Sequence, residues 1–501
     1  MQRWFVVLTV CTALANGGLA TAQAAPEVSG DTDACLGCHE EVTPGIVADW
    51  RHGRHSRTTL ARALNQPALE RRISVAAAPP GLGEVAVGCA ECHTRNPDTH
   101  ADTFEHNGYR VHVVVTPADC AGCHPEERAQ YADNLMANAY DNLMANPLYA
   151  SLVAAVNGPV TFDGTGLTNH APDDLTNADS CLACHGTRVE VSGLVARDTA
   201  MGEMEFPALT GWPNQGVGRL NPDGSKGACT ACHTRHRFSI AEARKPAACA
   251  QCHKSPDVPA YKVYEVSKHS AIYQSAGNNW NFDAVPWVVG TNFTAPTCAT
   301  CHTSLITTPG GKVVAPRTHQ FADRLGYRLF GPVYATAHPR SGDTTIIHNA
   351  AGLPLPAELT GEPAAEFLID AAEQARRQQL MQAVCAPCHS AQWVQGHFAK
   401  LDHTVETTNA LTLEATKVLL KAWEIGAARG AAQGDSLFNE AIEKRWVEQW
   451  LFYANSTRFA SAMAGADYSA FANGRWQLQK NLAEMVDWLE LRQKFQAPPT
   501  Q

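Results

Sequence analysis

Past its first two dozen residues the chain has no apolar run near the ~18 residues a bilayer-crossing helix needs, which excludes a helical membrane span there. Strand signals are scarce; VHVVV at 111–115 is the clearest, so a sheet-based architecture is a poor fit. Positive charge is in deficit, with 39 Lys and Arg against 49 Asp and Glu and a net charge of −10. That balance argues against nucleic acid and for partners that tolerate acidity. Solitary cysteine is almost missing: of 17 cysteines, only Cys11 stands outside a repeated motif.

The other cysteines fall into eight copies of Cys-x-x-Cys-His. In chain order these are Cys35, Cys38, His39; Cys89, Cys92, His93; Cys120, Cys123, His124; and Cys181, Cys184, His185. The remaining four are Cys229, Cys232, His233; Cys249, Cys252, His253; Cys298, Cys301, His302; and Cys385, Cys388, His389. This is the attachment signature of c-type haem: two thioethers to the porphyrin, with the adjacent histidine as proximal iron ligand. Zinc would join two half-sites and has no need of a histidine after every pair. Cysteines three apart rarely form disulfides without a redox role. The expected cofactors are therefore eight covalently bound c-type haems.

With so few residues per haem, porphyrin must fill much of the interior, wrapped by helices and by loops rich in Gly (37) and Pro (29). The expected fold class is mainly α: a multihaem cytochrome c with a haem-packed core, long loops and a C-terminal helical segment. Residues 1–24 read as a cleavable signal peptide, with Arg3, an apolar core over Trp4–Ala15 and the small-residue pattern Ala22-Gln23-Ala24. They imply export to the periplasm, where such haem is attached. Residues 25–400 are expected to bind the haems, and 401–501 to form helices packing on haems or neighbouring subunits. Motif intervals are irregular, so the chain is no solenoid. A tandem duplication, DNLMANAY (133–140) and DNLMANPL (141–148), reads as a lengthened loop or helix.

In the C-terminal region apolar residues recur at helical spacing in three stretches. They are Val418, Leu419, Ala422 and Trp423; Leu437, Phe438, Ile442, Trp446 and Trp450; and Leu478, Leu482, Met485 and Leu489. Glu440 and Lys444 are spaced to pair on the polar side. The tryptophans are expected to pack on haem edges or a neighbouring subunit. Of 21 histidines, those outside the motifs are His52, His55, His100, His106, His112, His170, His236, His269, His319, His338, His348, His397 and His403. The surplus fits bis-histidine electron-transfer haems and leaves room for one open iron.

The segments CTACHTRHRFSIAEARKPAACAQCH (229–253), YEVSKHS (264–270) and APTCATCH (295–302) resemble the octahaem hydroxylamine oxidoreductase family, as do the order and spacing of all eight motifs. The resemblance spans about residues 30–490, and GRLNPDGSKGACTACHTRH (218–236) is similar to its reductase-like branch. The last five motifs also resemble the pentahaem ammonia-forming nitrite reductases. The resemblance implies a catalytic, open-coordinate haem at the fourth motif, with His185 proximal. It implies His55, His106, His170, His236, His269 and His319 as sixth ligands of other haems, and a seventh among His338, His348, His397 and His403.

Two departures bear on chemistry. The family pocket has Asp-His after the sixth motif, whereas here Asp257 is followed by Val258. The oxidising enzymes crosslink a tyrosine of a neighbouring subunit to the catalytic porphyrin, but MAGADYSAFANGRWQL (463–478), with Tyr468, does not match that loop. The implied activity is multi-electron conversion of small nitrogen compounds (nitrite, nitric oxide or hydroxylamine) in the reductive direction. Asp257 would orient or protonate substrate, with Tyr261 or Tyr264. The alternatives are hydroxylamine oxidation and a non-catalytic electron relay. Expected partners are the nitrogenous substrate, periplasmic or membrane-associated electron-transfer proteins, and further copies of the chain as a homotrimer.

Overall fold

The computed structural model describes residues 25–496, apart from 165, 200 and 255. The leader expected at 1–24, with Cys11, lies outside the described residues. In each motif the two cysteines and the histidine stand at i, i+3 and i+4, which one helical turn brings to a common face. The motifs accordingly sit on short helical segments. Gly30–Val42 carries the first, while Cys89–His93, Cys181–His185 and Cys298–His302 are the second, fourth and seventh motifs themselves. The third and sixth follow the turns Pro117–Cys120 and Pro246–Ala250, the fifth opens on Cys229–Ala231, and Ala371–Cys385 delivers the eighth. Helices this short are marginal alone, so their starts are held from outside. Ser29 Oγ accepts from Thr32 N, and Thr116 and Asp119 form a reciprocal capping box.

The fold is mainly α, as the sequence predicts, with short paired strands between the haem segments. Strand β1 (Thr103–His106) pairs antiparallel with β2 (Tyr109–His112), so only the start of VHVVV is strand. Strands β3 (Val160–Phe162) and β4 (Leu167–Asn169) make an exposed hairpin before the fourth motif. The longest pair, β5 (Glu190–Thr199) with β6 (Gly202–Thr210), follows that motif. It packs back on β1 through Phe206 against Phe104, with ring centroids 5.6 Å apart.

The largest of the apolar clusters lies in the C-terminal part, and a smaller one gathers Phe282, Trp287, Phe293 and Ile306. The helix Ala391–Glu424, the helical run Ala441–Met463 and the helix Arg475–Gln496 realise the three amphipathic stretches. Leu419, Ala422, Ile442, Trp446, Trp450 and Met485 meet in one buried cluster. Trp446 and Trp450 are buried in this cluster. Two expectations change. Leu437 and Phe438 reach the cluster from a loop, ahead of the helix. Glu440 turns from Lys444 to accept the backbone N–H of Arg429. Among the described residues no helix is long and apolar enough to cross a membrane.

Glu443 is buried in this region and accepts from Glu440 N (2.9 Å), Asn439 N (3.1 Å) and Trp423 Nε1 (3.1 Å). Burial nevertheless pushes its carboxyl up from 4.5 to about 7. The folded chain thus keeps a proton over that interval which the unfolded chain releases. Stability from this group is full below 4.5, is lost as pH rises toward 7, and is level beyond. Melting curves followed by far-ultraviolet circular dichroism should show Glu443→Gln gaining on wild type as pH rises from 4.5 to 7. Parallel curves for the two proteins would contradict this.

Candidate functional site

Burial sets the charge state of the proximal rings. It lowers the pKa of His185 and His253, and that of His302 to about 4, leaving the neutral imidazole that metal binding requires. In several rings Nδ1 is already committed. His93 Nδ1 donates to His112 O at 2.8 Å, His185 Nδ1 to Ala139 O at 3.2 Å, and His39 Nδ1 contacts Thr43 Oγ1 at 2.9 Å. Such contacts fix the ring and present Nε2 to an iron.

Two imidazoles bonded at about 2 Å to one metal have ring centroids roughly 6 Å apart. Five proximal rings face an expected sixth ligand at that spacing; His93 also has the His112 ring at 6.0 Å, on the side where its Nδ1 is taken by His112 O. The pairs are His39–His106 (6.1 Å), His124–His55 (6.5 Å), His93–His236 (6.4 Å), His233–His319 (6.5 Å) and His389–His269 (6.2 Å). Five of the six expected sixth ligands are therefore where an iron could be held between two rings. His170 instead follows the exposed β3–β4 hairpin, where its Nε2 is engaged by Thr161 Oγ1 at 3.0 Å. Among the four candidates for a seventh, His403 is exposed and His348 packs on Phe367. His338 and His397 line the interior cavity, and His338 is buried with Nδ1 toward Pro339 O at 3.3 Å.

That cavity, about 1670 Å³, is lined by cysteines of six motifs, all but the first and the fourth. None of the 16 described cysteines is bridged. Their sulfurs instead approach those of other motifs. Cys35 contacts Cys89, Cys120 contacts Cys229, Cys249 contacts Cys298 and Cys184 contacts Cys252. Cys92 and Cys123, Cys232 and Cys249, and Cys301 and Cys385 are close enough for their charges to interact. The attachment points thus form a row in the order first, second, third, fifth, sixth, seventh, eighth. The fourth branches from the sixth. A large enclosed space, neutral rings at iron-holding separation and unbridged sulfurs along its wall fit porphyrin bound through thioethers.

Tight backbone packing places the fourth motif. Gly186 follows His185 at φ +94°, and a Cβ there would stand 2.3 Å from Arg219 N; a Cβ on Gly218 would stand 2.7 Å from His185 O. Side chains at either position would push the 216–219 loop off the motif. Asp257 acts electrostatically on both His185 and His253, so it lies by the fourth and sixth motifs. Its backbone carbonyl accepts from Asn455 Nδ2 at 3.0 Å, a contact with no sequence signal. The Tyr264 hydroxyl donates to Pro296 O at 3.1 Å beside the seventh motif, and burial raises its pKa. Tyr261 touches the sixth motif, its backbone N–H donating to His253 O at 2.8 Å.

Comparison with known proteins agrees with this geometry. A family described as seven times multi-haem cytochrome CxxCH matches residues 222–317, and cytochrome c7 and related cytochrome c matches 167–254. A solved structure called a hypothetical multiheme protein is 41% identical, with TM-score 0.88 over 95% of this chain and 98% of its own. A reducing HAO-like protein complex of Kuenenia stuttgartiensis, HAO being hydroxylamine oxidoreductase, has TM-score 0.60 at 19% identity, covering 93% and 86%. That is a likeness of fold. A probable nitrite reductase-hydroxylamine oxidoreductase fusion protein of the same organism is 25% identical over 286 residues, 54% of this chain. The chain belongs to the multihaem cytochromes c. It spans 25% of the length of that fusion protein. As a cytochrome of this family it carries covalent c-type haem and transfers electrons.

The ring pairs make a direct prediction. Replacing His55, His106, His236, His269 or His319 singly by Ala should open one additional iron to carbon monoxide per chain, read from the ferrous difference spectrum. His170→Ala should leave the carbon monoxide stoichiometry unchanged. The reverse pattern would show the pairs misassigned.

Proposed function

We propose that this cytochrome holds eight haems and reduces nitrite, nitric oxide or hydroxylamine toward ammonium at the fourth, with the other seven relaying electrons. The observation that carries the reading is the branch: the fourth motif stands outside the common cavity and joins the row only at the sixth, through Cys184 and Cys252. A substrate site there can meet solvent without interrupting the relay. When bound there, haem supplies an iron that takes small nitrogen ligands and exchanges electrons.

The chain's own residues divide the remaining work. His185, anchored by Ala139 O, is the proximal ligand. Asp257, with its backbone tied by Asn455, orients substrate or delivers a proton to it. Val258 cannot share that task, so proton supply rests on the carboxylate and solvent. His338 supplies one further sixth ligand beyond the five paired rings. The reductive direction is supported by the mismatch around Tyr468 and by the relatives, one titled reducing and one containing a nitrite reductase. Export to the periplasm, supported by the apolar leader, and assembly with further copies of the chain belong to the same proposal.

The purified holoprotein, supplied with a low-potential donor, should consume nitrite and release ammonium, and its ferric form should show one high-spin haem. Asp257→Asn should lower the rate by about 10²-fold with haem content unchanged. Rapid hydroxylamine oxidation without nitrite consumption would refute the direction, and an entirely low-spin spectrum would leave a relay.

A further inference from the structure

Beside the second motif lies a cluster of side chains that the haem row does not use. His100, Asp102 and His112 are all buried, and one ligand atom from each lies within 4.8 Å of the others. His100 Nδ1 stands 3.3 Å from Asp102 Oδ1. A charge-assisted N–H···O bond is shorter, about 2.7–2.9 Å. Two ligands of one tetrahedral cation, each bonded at about 2.0–2.1 Å, stand roughly 3.3 Å apart. The second, independent observation is His112, which is 1% exposed and whose Nδ1 has no hydrogen-bond partner. Its Nε2 is occupied by Arg95 O at 3.0 Å, so a neutral ring leaves a buried lone pair on Nδ1.

The surroundings complete the pattern seen around metal ligands. His100 Nε2 faces Asp119 at 3.3 Å, and Asp102 Oδ2 accepts from Val113 N (2.9 Å) and Val114 N (2.8 Å). Each candidate ligand is thus held from behind by a carboxylate, a backbone carbonyl or backbone N–H groups.

We propose that His100, Asp102 and His112 bind a divalent first-row cation of the zinc class, separate from the haem irons. Two imidazoles and one carboxylate suit such ions better than calcium or magnesium. The two rings are stacked, with centroids 3.7 Å apart at 12°, so loading tilts one ring until both Nδ1 atoms converge. The carbonyl of His112 accepts from His93 Nδ1, so the cation fastens the residue that orients the second proximal ring. This site stands or falls independently of the proposed nitrogen chemistry.

Holoprotein dialysed against micromolar zinc and desalted should retain one zinc per chain by elemental mass spectrometry, beyond its haem iron. His112→Gln should lose at least tenfold of that zinc with haem content unchanged. Zinc-edge X-ray absorption of the wild type should show two imidazoles and oxygen, a readout that stands even where the variant does not fold. Wild type retaining no zinc above background, or zinc bound through sulfur or through oxygen alone, would overturn the assignment.

Discussion

A neutral imidazole whose Nδ1 is tied to a backbone oxygen, and whose Nε2 is thereby aimed at an iron, is the constraint on which the rest of this molecule depends. His93 on His112 O and His185 on Ala139 O show it most plainly. The motif supplies one ring by local helical geometry, and the second comes from far away in sequence. His124 meets His55 and His93 meets His236. Each iron held between such rings ties distant segments together, so haem binding and folding share one free energy. The cavity of about 1670 Å³ is bordered by Phe293 and Ile306 of a smaller apolar cluster; the larger cluster sits in the C-terminal helices.

That division assigns different work to the two parts of the chain. The C-terminal helices fold around Trp446, Trp450 and Ile442 as an ordinary helical core would. They also reach back, since Asn455 holds the Asp257 carbonyl and His397 lines the cavity. The haem-bearing part is a row of attachment points joined by sulfur contacts, with one branch. A row provides a path for electrons, and a branch provides a terminus beside the path. The proposed chemistry uses both, and the proposed cation behind His93 would stiffen the row near one end.

Much of this was legible in the sequence because the relevant physics is local. Two cysteines and a histidine within one helical turn declare the attachment site, and the 3.6-residue periodicity of Leu478, Leu482 and Met485 declares a helix. Leu437 and Phe438 were misplaced because a loop can bury residues that happen to fall at helical spacing. The β5–β6 hairpin gave no signal because both its faces are largely exposed and little alternation is needed. For His170 and Tyr264 the sequence is silent in a different way: position along the chain does not say which partner claims a polar atom. Thr161 takes the first and Pro296 O the second. Carbonyl anchors such as Ala139 O have no side-chain signature at all. They became visible only once the tandem repeat was seen to place Ala139 beside His185 and Asn134 beside His319 O.

The central claim is that covalently attached porphyrin fills this interior. Intact-mass spectrometry of the denatured chain, with free thiols counted on the same sample, tests it most directly. The account predicts eight covalent haem additions and no reactive thiol in the processed chain. Fewer additions, with matching pairs of free thiols at intact Cys-x-x-Cys-His motifs, would contradict it.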